Sequence, residues 1–254
     1  MSLRHVRRGV VAGLVAGLAF GLLTAFVANP LVGLADGVAH DASVEGGQHA
    51  AAGSHHEGGL VSLAVTEAVS VVSAVLWGVL LGAVVFGAAF YLLEPAIPGT
   101  GATKSAVAGA AGFLVVSGAP WLALPPVPPG AEQALATGTR LQLYAGMMVA
   151  GAVAVLLAGL AYRRVRRRRG RALATATALV PVALLAVPAT LAPAPGVEHG
   201  LPPELAAGLS GLVVLGQLAL WAIMAGVHAW LPRDDALAGD TGGAHVGDGG
   251  VAAD

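Results

Sequence analysis

Six stretches of this chain are apolar for about twenty residues or more, and that length leaves few ways to fold. A helix crosses a hydrocarbon core of about 30 Å with about 20 residues rising 1.5 Å each. In that core every backbone polar group has to be satisfied inside the segment or by a neighbour. The blocks cover about 9–28, 66–93, 105–124, 141–162, 172–191 and 205–231. Only 11% of the residues are charged and 56% are hydrophobic. A soluble domain carries about 25% charge, so this chain cannot cover a water-facing surface. The expected fold class is all-α: a polytopic membrane helix bundle of about six transmembrane helices over 1–231. A polar loop, 29–65, follows the first span, and a Gly-rich tail, 232–254, reads as disordered. The fifth block carries Pro181 and Pro188, which a membrane helix tolerates when neighbours satisfy the freed carbonyls.

The cations set the orientation. Arg4, Arg7 and Arg8 precede the first block. Lys104 follows the second, seven arginines from Arg163 to Arg171 follow the fourth, and Arg233 follows the sixth. Of the 13 Lys and Arg, only Arg140 falls in the other set of loops. Basic loops stay on the cytoplasmic side, so six spans with both termini cytoplasmic, in a cell membrane, is the expected topology. The first block is too long for the 7–15-residue core of a cleaved signal peptide and reads as a retained span.

Within the spans, Gly9, Gly13, Gly17 and Gly21 repeat every four residues, and Gly78 and Gly82 repeat once. Such stripes let backbones approach closely, within the bundle or in a homo-oligomer. Gln217, Trp221, Met224 and His228 fall at i, i+4, i+7 and i+11 and share one helix face. An imidazole in lipid is costly. His228 therefore points into the bundle, either as an interhelical hydrogen-bonding group near a helix end or along a metal path with Gln217. Arg140, Tyr144 and Met147 make a similar stripe opening the fourth span, with Arg140 read as an interfacial anchor. No span has Asp or Glu near its centre, so an intramembrane carboxylate relay of the kind proton pumps use is not evident.

The external loop is the most informative polar segment. It holds Asp36, His40, Asp41, Glu45, His49, His55, His56 and Glu57, with no Lys or Arg. Glu198, His199 and Glu204 lie on the same side. Imidazole with carboxylate suits divalent Co, Ni, Zn or Cu. The candidate metal-binding residues are Asp36, His40, Asp41, His49, His55, His56, Glu57 and His199. The spacing matches no strict zinc motif, so the signal is compositional, and a solvated flexible linker is the competing reading. There is no Cys, which excludes disulfides, thiolate metal sites and Cys nucleophiles.

Several signals do not stand. The stretch from Pro98 to Ser105 has Pro and Thr where a phosphate-binding loop needs Gly, and reads as a turn into the third span. The Arg run sits in a short loop, where it holds orientation and touches lipid headgroups, and offers no folded surface for nucleic acid. No nucleophile–base or paired-carboxylate arrangement supports catalysis. The chain reads as no enzyme, and no cofactor is expected beyond a bound or transported metal.

In the order of its features the chain resembles the CbtA-type probable cobalt transporter subunits. The first span ends in Asn29-Pro30-Leu31, and the His-rich loop ends in Ser54-His55-His56-Glu57-Gly58-Gly59-Leu60. The third span carries Gly118-Ala119-Pro120 and leads to Leu124-Pro125-Pro126-Val127-Pro128-Pro129-Gly130. Arg140 and Tyr144 open the fourth span. Leu201-Pro202-Pro203-Glu204-Leu205-Ala206 opens the sixth, which ends at Ala229-Trp230-Leu231. The family often has a basic residue just before the second span, where Val61 to Thr66 hold none. It is commonly described with five spans; the cation pattern here favours six. The resemblance implies Co²⁺ uptake for cobalamin synthesis beside a small single-span, His-bearing CbtB-type subunit. Transport of nickel or zinc, and a non-transporting metal-binding scaffold or sensor, are the alternative readings.

Overall fold

The computed structural model describes residues 3–45, 63–128, 131–198 and 201–232. Six helices among them are long and apolar enough to cross a membrane: Leu3–Ala35, Glu67–Leu93, Gly101–Ala123, Thr137–Arg169, Arg171–Leu191 and Pro203–Trp230. They are referred to below as the first to the sixth span. The expected six blocks are all helical, and the chain is a multi-pass protein of the plasma membrane. Large side chains such as Leu76, Trp77, Leu160 and Leu215 are exposed and form the lipid-facing surface.

The first helix departs from expectation. It was to end near Ala28 and give way to a flexible loop. Instead Leu3–Leu23 continues through a π-helical segment, Thr24–Ala28, into Asn29–Glu45. Pro30 has no N–H to give the carbonyl four residues back. The widened π turn directly before it carries the helix past that break, as π-bulges do inside longer helices. Two further π-helical segments, Gly82–Ala89 and Leu114–Gly118, interrupt the second and third spans.

The fifth span is two pieces, Arg171–Ala183 and Ala186–Leu191, joined by a turn. The cause is Pro188, which cannot donate to Leu184. That carbonyl instead accepts from Val187 N at 3.1 Å, one residue earlier. The helix tightens there and still crosses.

Close Gly contacts bind the first span to the second. A methyl group on Gly13 would land on the Gly78 carbonyl, and one on Gly82 on the Gly9 carbonyl. Gly17 and Gly21 face Ala74, Val75 and Val71 in the same way. The stripe is therefore used inside the bundle, where bare backbones gain dispersion and Cα–H···O contacts. The first span also packs on the sixth, and the sixth on the third. Phe86, Phe90, Leu220, Trp221 and Met224 fill the core among them with Ala12, Ala16 and Ala108. The fourth and fifth spans pair with each other and join the rest chiefly through Leu114–Ala123 of the third. Ala119, Ala154 and Leu185 make a small separate cluster at that joint.

At the far end a two-stranded antiparallel ribbon ties two loops together. Glu132 pairs with Glu198, and Gln133 with Val197. At the opposite end Arg8, near the start of the first helix, reaches Leu231 at the end of the last. The described chain thus starts and finishes at one end of the bundle.

Candidate functional site: a polar face inside the bundle

The face predicted on the sixth span lies inside. Trp221 is 3% exposed, and Met224 and His228 are 0% exposed. Small residues on the third span make room for it. A methyl on Gly112 would fall on the Trp221 ring, and one on Gly109 on Ala225.

His228 is the most enclosed polar side chain of this face. Its ring lies between Phe86 and Phe90, with centroids 4.9 and 4.7 Å away. Its Nδ1 is 3.0 Å from the Ser105 hydroxyl, which is itself fully buried. A hydroxyl can donate or accept, so it suits either imidazole tautomer.

Polar side chains close this end of the bundle. Arg8 Nη2 donates to the His228 carbonyl at 2.8 Å and to the Leu231 carbonyl at 3.3 Å. These are carbonyls of the last helical turn, which have no intrahelical donor. Beside them, His5 Nε2 stands 3.7 Å from Glu94 Oε2, and Lys104 Nζ donates to Glu94 Oε1 at 3.4 Å. The His5 ring meets Tyr91 edge-on at 5.2 Å. The first, second, third and sixth spans are therefore linked here by polar contacts.

A second polar level lies deeper. Ser117 donates to Gln217 Oε1 at 3.3 Å. Ser117 belongs to the π-helical segment Leu114–Gly118, and the Tyr144 hydroxyl bonds the carbonyl of neighbouring Val116. From Gln217 to His228 the helix rises about 16 Å. Trp221 and Met224 are buried in between. Met224 offers a soft thioether, whereas the Trp221 indole cannot ligate a cation.

Of the predicted metal-binding residues, Asp36, His40 and Asp41 lie on the helical extension Asn29–Glu45. Its register sets positions 36 and 40 one turn apart. His49, His55, His56, Glu57 and His199 lie outside the described residues. Among the described residues no three or more His, Cys, Asp or Glu gather as a metal site would need. Of the predicted path, Gln217 and His228 both face inward, each against a serine of the third span. Arg140 donates to Thr137 at 3.2 Å at the start of its helix. Met147 is buried.

Sequence reasoning missed Ser105, Ser117, Phe86 and Phe90, and gave Arg8 and Lys104 only an orienting role. Serines among small residues carry no periodic signal. One was available at Glu94 and Lys104, opposite charges flanking the turn between two spans. That turn, which resembled a phosphate loop, is held by Gly99 and Gly101 at φ 96° and 47° and leads into the third span, as expected.

Comparison with known families matches residues 3–233 to the family described as "Probable cobalt transporter subunit (CbtA)". No curated protein and no solved structure matches the chain significantly. The match takes in all six spans and the polar face between them. The chain belongs to the CbtA family of probable cobalt transporter subunits.

Proposed function

We propose that this subunit imports Co²⁺ for cobalamin synthesis. In this reading the end bearing Arg4, Arg7, Arg8 and Lys104 faces the cytoplasm. The segment 29–65 then lies outside and gathers the ion through Asp36, His40, Asp41, His49, His55, His56 and Glu57, with His199 contributing from the loop before the sixth span. The family membership carries the proposal. Three features of the chain support it. The segment 29–65 has no cation to repel a divalent ion. Its first part is helical, Asn29–Glu45, which sets positions 36 and 40 one turn apart. A buried imidazole, His228, stands at the other end of an internal face that begins at Gln217.

The ion passes from the loop to the level of Gln217 and Ser117, then to His228, and leaves past His5 and Glu94. Imidazole and carboxylate donors do not themselves rank cobalt above nickel or copper, so selectivity rests on geometry and on the companion. A small single-span, His-bearing subunit of the CbtB type is the proposed partner. Uptake of labelled Co²⁺ into vesicles holding the full chain, with and without that partner, tests the reading. The expected result is accumulation that falls in a His40/His49/His55/His56→Ala variant. Unchanged uptake in that variant removes the capture role of the loop. No accumulation with either preparation removes the transport reading.

A further inference from the structure

The arginines after the fourth span do more than mark a side. That helix runs on to Arg169. Gly170, at φ 84°, reverses the chain, and Arg171 opens the fifth span. Between the two helices lies a cavity of about 300 Å³ lined by Arg164, Val165, Arg168, Arg169, Leu173 and Thr177. Arg164 and Arg168 are one helical turn apart and share a face. Arg166 serves elsewhere: it donates to the Tyr162 hydroxyl at 3.0 Å and lies over that ring.

Among the described residues no carboxylate pairs with these arginines. From Ala134 to Gly196 the sequence holds no Asp or Glu. The depth is also specific. Leu160 and Leu179, 61% and 60% exposed, belong to the lipid-facing surface of the same two helices. The cavity lies just beyond them, where apolar surface gives way to arginine. An anion held there meets guanidinium groups and two apolar walls, while the Thr177 hydroxyl donates to the Leu173 carbonyl at 2.8 Å.

We propose that this cavity binds the phosphodiester headgroup of an anionic phospholipid, such as phosphatidylglycerol, from the membrane leaflet on the arginine side. Guanidinium groups match phosphate oxygens in forked pairs, and basic pockets between spans at this depth suit such headgroups. Val165 and Leu173 give the glycerol and first acyl carbons an apolar wall that a free anion does not need. Orientation by charge alone requires neither the cavity nor these walls.

The test is lipid binding by the purified full chain, read by native mass spectrometry with phosphatidylglycerol against phosphatidylcholine. A variant with R164Q, R168Q and R169Q is expected to lose about a hundredfold in phosphatidylglycerol binding, at roughly fivefold per cation. A variant with R163Q, R166Q and R167Q removes the same charge outside the cavity and is expected to lose less than about threefold. Leu173→Trp fills the cavity, keeps every charge and suits an interfacial position. It is expected to lose the preference as well, and it carries the test if the glutamine variants do not fold. Equal losses in the two glutamine variants overturn the site, as does full retention in Leu173→Trp. Displacement of the lipid by equimolar inorganic phosphate overturns the lipid assignment in favour of a free anion.

Discussion

The hydroxyl of Tyr144 donates to the carbonyl of Val116 across the joint between the fourth and third spans. Val116 lies four residues before Pro120, so Pro120 deprives that carbonyl of its α-helical donor. One chain defect and one phenol are thus matched across two helices. A lost hydrogen bond inside a membrane costs about 0.6–1.7 kcal/mol.

Tyr144→Phe is expected to destabilise the chain by about 1 kcal/mol. Pro120→Ala restores a helical donor, so in that background the same change is expected to cost less. A double-mutant cycle on thermal unfolding in detergent measures the coupling. Equal costs in both backgrounds would show that the phenol does not answer the proline.

Gly13→Ala places a methyl on the Gly78 carbonyl and is expected to cost about 1–3 kcal/mol through overpacking. Gly146→Ala serves as the control, since nothing lies within 4 Å of the added atom, and it is expected to be neutral or slightly stabilising. Unfolding temperatures of the two variants, taken in one detergent, decide the point.

His228→Phe keeps an aromatic ring among Phe86 and Phe90 and removes the nitrogens. Folding is expected to survive, with Co²⁺ uptake down at least about tenfold, the loss of one metal-binding step of about 1.4 kcal/mol. Ser105→Ala is expected to reduce uptake less, because it removes only the group that orients the ring. Normal uptake by folded His228→Phe would leave His228 a purely interhelical group.

Arg8→Met removes the donors to the His228 and Leu231 carbonyls. The last turn of the sixth span is expected to fray at a cost of about 1–2 kcal/mol. Amide exchange from Val227 to Leu231 should quicken while exchange around Leu220 stays slow. Uniform slow exchange would show that the cap is dispensable.

Much of this architecture was legible because the bilayer permits so few answers. The six blocks and the lopsided distribution of Arg state the span count in two independent ways. The 4-3-4 spacing from Gln217 to His228 located the buried face of the sixth helix. Its partners were not legible, because Ser105 and Ser117 are brought there by helix packing across 123 and 100 residues of sequence. Asn29-Pro30 read as a stop because proline removes a donor, yet a π turn carries the helix on to Glu45. The Gly stripe announced a close approach without naming the partner, and the matching Gly78 and Gly82 were its one clue.

The way the fourth and fifth spans are attached has a mechanical consequence. They hang from the rest of the bundle as a pair, and the fulcrum for any tilt of that pair is the second half of the third span. Tyr144 grips Val116 at that fulcrum, and Ser117, the next residue, holds Gln217. One peptide unit thus stands between these two spans, whose arginine end is some 30 Å away by helix rise, and the polar side chain that heads the internal face.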